Sequence, residues 1–107
     1  MAVRSPQGNA RNAPVVALDY EIAQEQASAL GRLGRALEAA LAALADHDTT
    51  GRSGDAARKE LAQQASEALW YFIIQREACG LRDPLPVIRD YRVPAEVYAQ
   101  IGARKPR

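Results

Sequence analysis

Seven consecutive apolar residues, Ala68-Leu69-Trp70-Tyr71-Phe72-Ile73-Ile74, lie inside a segment that otherwise has the rhythm of an amphipathic helix. A helix packed on one neighbour needs an apolar stripe, not an apolar cylinder. For two turns the stripe here widens around the whole circumference, so a chain containing it must cover the helix from more than one side. That requirement points to a helical assembly, and it names neither a reaction nor a ligand.

The rest of the chain limits how that cover can be built. Of the 107 residues 48% are hydrophobic, but 22 of these are Ala, which buries little area. A small, Ala-rich helical chain commonly completes its core with a second subunit, so self-association is the expectation.

Two long helices follow from the spacing. The first is predicted from about Leu18 to Asp46, with Asp19 as N-cap and Glu21 and Glu25 near the positive end of the dipole. Tyr20, Ala23, Ala27, Leu30, Gly34, Leu37, Leu41 and Leu44 follow alternating steps of three and four, an a/d pattern broadened by Leu33 and Ala40. Its first half is small, with Gly31 beside it, and its second half is leucine. The second helix is predicted from about Asp55 to Cys79, capped by Ser53 or Asp55 and stopped by Gly80. The turn-rich stretch from His47 to Gly54 makes the two helices antiparallel neighbours. Gly31, Gly34 and Ala27 would then make room for Phe72.

Beyond Gly80, Asp83-Pro84 and Pro94 read as the starts of two short helices, ending near Tyr91 and Gly102. Their apolar residues, from Leu81 to Ile101, are the nearest candidates to cover Trp70 and Ile74. The expected fold is therefore all-α: a long antiparallel helical hairpin plus two short C-terminal helices, dimerising into a helical bundle. Residues 17–102 would form this single domain, residues 1–16 a disordered arm and residues 103–107 a basic tail.

Chemistry finds little to work with. Cys79 and His47 are the only residues of their kinds, which rules out a disulfide or a Cys/His metal site within one chain. Cys79 sits near a helix C-terminus without a base beside it, and His47 reads as a solvated loop residue. No glycine-rich phosphate loop is present, because Gly51 to Gly54 lacks the lysine and the preceding strand. The chain is read as non-enzymatic and cofactor-free. The densest polar group is Arg76, Arg82, Asp83, Arg89 and Asp90, which either binds an anion or pins the short helices. Alternating signs favour pinning.

Net charge is +1, with −4 in residues 17–48 and +3 in residues 80–107, far from a nucleic-acid-scale surface. Residues 87–101 have the rhythm of a helix-turn-helix with Val93 at the turn. Arg92 at the glycine position and Glu96 on the would-be reading helix argue against DNA. No apolar run follows Arg4 as in a secretory signal, and no segment is long enough to span a bilayer. A reducing, cytoplasmic setting is expected, and the Arg-rich, Lys-poor, Ala-rich composition suggests a bacterial source.

The run from Tyr20 to Arg35 (YEIAQEQASALGRLGR), with QREACGLRD at 75–83 and VIRDYRVP at 87–94, resembles a family of small alphaproteobacterial proteins classed as a domain of unknown function. The resemblance spans about residues 17–102. It implies an all-helical protein and carries over no activity and no functional residues. The leading functional expectation is thus a homo-oligomeric helical interaction or adaptor protein. Its candidate interface is Leu37, Leu41, Leu44, Trp70 and Ile74, facing a second copy or another protein. The alternatives are a DNA-associated regulator using 87–101, or a small-molecule binder near Trp70.

Overall fold

The computed structural model describes residues 6–50 and 54–104, with side chains at 15–50 and 54–102. It contains four helices: α1 (Pro6–Thr50), α2 (Asp55–Ala78), α3 (Leu85–Asp90) and α4 (Ala95–Arg104). The all-α hairpin with two short helices is as the sequence implies. Helix α1 is longer than the spacing suggested at both ends. It starts at Pro6, so residues 6–16 are helical, where a disordered arm was expected, and residues 1–5 lie outside the described set. Val15, Leu18 and Ile22 are separated by helical steps of three and four, and the Pro, Gly and Asn before them mask that rhythm in the sequence. Asp19 is consequently mid-helix. At the other end the helix runs through His47, whose side chain is only 14% exposed, in place of the solvated loop position expected of it.

Helices α1 and α2 pack antiparallel. Gly34 lies against Phe72, and Asp48 against Arg58, which sets a register with Ala78, the last residue of α2, opposite Ser28. The lengths do not match. At 1.5 Å per residue α1 spans about 68 Å, close to the 72 Å long dimension of the molecule, and its first 22 residues, about 33 Å, run past the end of α2.

The core sits in the paired half. Leu37 and Leu44 of α1 meet Ala62, Ala65, Leu69, Phe72 and Ile73 of α2, with Val87, Val93, Val97 and Ile101 closing the far side. The apolar run of α2 is therefore covered from two directions. Leu69, Phe72 and Ile73 are buried, Ala68 and Trp70 are half-buried, and Tyr71 and Ile74 stay open at 51% and 42% exposure. Helix α4 packs along α2 through Val97 and Ile101. Leu81, Leu85 and Tyr98, expected to help cover Trp70, face solvent.

Glycine explains the closest approach. A Cβ at Gly34 would stand 2.9 Å from the Tyr91 hydroxyl and 3.5 Å from the Phe72 ring. Those two rings meet edge to face at 5.5 Å, wedged against the α1 backbone. Of the three small residues expected to admit Phe72, only Gly34 does so.

Both helix ends that aim the C-terminal segment use the same device. Past α2, Gly80 has φ +90°; its N–H bonds the Glu77 carbonyl and the Leu81 N–H bonds that of Arg76. This is a Schellman closure. Past α3 the pattern repeats, Arg92 N–H to Arg89 and Val93 N–H to Ile88. There the left-handed residue is Arg92 at φ +53°, which a side chain adopts at a cost of about 1 kcal/mol. The Asp83 carboxylate accepts the Leu85 N–H at 3.1 Å just ahead of α3, but the N-cap position falls on Pro84, one residue later than expected, and Leu85 opens the helix. Helix α2, by contrast, begins after Gly54 without a side-chain cap, and Ser53 lies outside the described residues.

Two substitutions test this packing. Gly34→Ala gains helix propensity of about 1 kcal/mol, but its Cβ would push the Tyr91 hydroxyl off the α1 backbone and disturb its packing on Phe72, for a net loss of about 1 kcal/mol. Urea denaturation showing no loss of midpoint would contradict it. Ser66 is fully buried, and its hydroxyl finds no hydrogen-bond partner among the described residues. Ser66→Ala should therefore raise stability by about 1 kcal/mol, read as a higher midpoint in the same titration.

Candidate functional site

The polar residues of this chain do not converge on one point. The five grouped in the sequence separate into local sets. The Arg76 guanidinium donates to the Asp83 backbone carbonyl at 3.0 Å and fastens the turn after α2. Arg89 pairs at 3.1 Å with its own neighbour Asp90, both well exposed. Arg82 borders a shallow recess of about 280 Å³ with Glu77. These contacts hold the α2–α3 junction and leave no shared anion cradle.

The strongest polar node has no signature in the sequence. Arg58, in the first turn of α2, donates from Nε and Nη2 to Asp48 at 2.7 and 3.1 Å. From Nη1 and Nη2 it donates to Glu96 at 2.6 and 2.9 Å. One guanidinium thus bridges the end of α1 and the start of α4 from its place on α2, in the planar two-pronged geometry that Arg alone offers. The hydrogen bonds from Arg58 hold the carboxyl groups of Asp48 and Glu96 below their ordinary values, and the two carboxylates in turn push Arg58 up. Helix ends this far apart in sequence meet only once α4 has been placed, so spacing along the chain gives no hint of it.

A hollow of about 460 Å³ opens between α1 and the α3–α4 turn. Leu41, Leu44 and Pro94 supply its apolar part, and Glu38, Asp48 and Asp90 its carboxylates, with Tyr91 and Arg92 at the turn. The expected binding place near Trp70 is elsewhere: that indole is half-buried at the edge of the core. Among the described residues no group of His, Cys, Asp and Glu could hold a metal ion, and no helix is long and apolar enough to cross a membrane.

The candidate interface residues divide sharply. Leu37 and Leu44 are buried at 0% and 2% exposure in the chain's own hairpin, Leu41 and Trp70 are half-buried, and only Ile74 is open. The leucine half of α1 is consumed by α2. The open apolar surface is the opposite half, which reads in the sequence as small or disordered. Val15, Val16, Leu18, Tyr20 and Ile22 are 48–66% exposed there. In the helix-turn-helix-like segment, Val93 is buried at the turn, while α4 turns Val97 and Ile101 inward and Glu96 to Arg58.

Fold and surface together define a small helical-hairpin protein with a projecting first helix. A family model matches residues 6–106, and the chain belongs to that family, described as "Family of unknown function (DUF6665)". The match takes in the whole of the projecting helix. No curated protein and no solved structure matches the chain.

The Arg58 bridge should be visible in acid. Both carboxyl groups are depressed in the folded protein, so their contribution is complete above the ordinary carboxylate range and is lost as pH falls through and below about 4. All three side chains are partly exposed, and solvent screening keeps the effect modest. Thermal midpoints measured from pH 6 to pH 2 should fall more steeply for the wild type than for Arg58→Ala. Parallel curves would show that the bridge contributes nothing.

Proposed function

We propose that this protein is a non-enzymatic, self-associating helical interaction protein whose partner surface is the projecting half of α1. The observation that carries the reading is a set of exposed apolar residues, Val15, Leu18 and Ile22 on one side and Val16 and Tyr20 on the other, on a helix reaching about 33 Å beyond its only long neighbour. An isolated helix gains little from its own hydrogen bonds in water and is stabilised chiefly by burying an apolar face. A patch of this kind on a small chain marks a surface that another protein covers. The hairpin, locked by the Gly34 contact and the Arg58 bridge, serves as the rigid base from which the helix is held out.

The setting we propose is a reducing cytoplasmic one in a bacterium. A single, half-buried cysteine and an Arg- and Ala-rich composition are in keeping with it.

Light scattering coupled to size exclusion at micromolar concentration should give a dimer. Tyr20→Glu, at an exposed position outside the hairpin core, should weaken association by roughly tenfold or more while the hairpin stays folded by circular dichroism. A wild-type chain that is strictly monomeric across that range would overturn self-association.

A further inference from the structure

We infer that α4 is a releasable cover: it swings off α2 about a hinge at Arg92 while the α1–α2 hairpin and α3 stay folded. The chain on the two sides of Arg92 is held very differently. Upstream, Val87 is buried, Tyr91 is wedged over Gly34 against Phe72, and Arg76 fastens the turn before α3 through the Asp83 carbonyl. Downstream, α4 packs on α2 and on no other helix to a comparable extent. Of its described side chains only Val97 and Ile101 are buried.

Three features of the docked state work against it. Arg92 is held at φ +53°, a strained conformation for any residue with a Cβ, and the strain ends once the hinge is free to leave that region.

Ser66 is the second feature. On α2, Leu61, Ala65, Ala68 and Phe72 form the stripe that faces α1, and Ala62, Ser66, Leu69 and Ile73 form another, turned roughly 100° from it. The start of α4 is fixed beside Arg58 by Glu96, so Ala62 and Ser66, one and two turns further along α2, fall in the part of that stripe beside α4. The Ser66 hydroxyl is fully buried there and finds no hydrogen-bond partner among the described residues. Water reaching it on opening removes that cost.

The third feature is the tie itself. The Arg58 and Glu96 side chains are 33% and 48% exposed, so solvent screens the ion pair that holds the near end of α4. A short helix anchored by two side chains, a screened ion pair and a strained hinge is the kind of unit that opens below the global unfolding free energy. Opening uncovers the apolar stripe of Ala62, Leu69 and Ile73, which the docked chain hides. Neither hinge nor cover involves the projecting half of α1, so a monomeric protein would open in the same way.

Residue-resolved hydrogen exchange on the full chain under native conditions tests this. The amides of Tyr98 to Ile101 should exchange at least roughly tenfold faster than those of Leu37 to Leu44 and Ala65 to Phe72, relative to their intrinsic rates. Arg92→Gly makes the left-handed hinge free of strain and should raise α4 protection about threefold to fivefold. Ser66→Ala should raise it by a similar factor, and Arg58→Ala should lower it about twofold or more. Exchange of the α4 amides only together with those of α1 and α2 would show that the cover never leaves alone, and would overturn the inference. Fraying of α4 from its own C-terminal end would also exchange quickly, but it would ignore Arg92→Gly and Ser66→Ala, which lie outside that helix. Fast α4 exchange that neither substitution moves therefore overturns the hinged opening as well.

Discussion

The contact of Phe72 and Tyr91 with the bare backbone at Gly34 is the one on which the rest of this structure depends. It is the place where three elements, α1, α2 and the end of α3, come within reach of one atom position. Because no Cβ intervenes, the Tyr91 hydroxyl can reach the α1 backbone beside the Phe72 ring, which is itself buried with Leu69 and Ile73. The same contact fixes register: with Phe72 at Gly34, Arg58 falls opposite Asp48 and can reach across to Glu96. A large side chain at that one position would displace both the rings and the ionic bridge at the other end of the hairpin.

Two chain reversals of one type carry the C-terminal helices to the second side of α2. Each ends a helix in a left-handed residue, and the carbonyl three positions before the cap accepts the N–H just beyond that residue. At Gly80 the conformation is free of cost. At Arg92 it is strained, and burial of the next segment holds it in place: Val93 is buried at once and α4 docks through Val97 and Ile101. That downstream burial offsets the backbone penalty. The dependence is physical, since without α4 on α2 nothing would keep Arg92 left-handed.

Much of this architecture was legible along the chain, and the failures share a cause. The a/d steps from Leu30 to Leu44, the apolar run ending in Ile74 and the Gly80 stop are local patterns with local causes, and each reappears in the fold. The Arg58 bridge was not legible, because Asp48, Arg58 and Glu96 become neighbours only through tertiary packing. The start of α1 was misplaced because Gly8, Asn9, Asn12 and Pro14 have low helix propensity and hide the periodicity of Val15, Leu18 and Ile22. The candidate interface erred for a related reason. Leu37 and Leu44 are among the most apolar positions on α1, and a chain satisfies its strongest surface internally before offering one to a partner.

The same preference bears on why α1 is so long. A hairpin needs two helices of equal reach, and α2 stops at Ala78 under a glycine stop signal while α1 continues in the other direction for some six turns. A helix of that length exposed on every side would be marginal in water. Yet the projecting half carries β-branched and aromatic residues at helical spacing, and the family's domain takes it in from residue 6. Length and exposed apolar residues at helical spacing are thus two separate departures from what the hairpin alone requires, and both are what the proposed interaction surface would need.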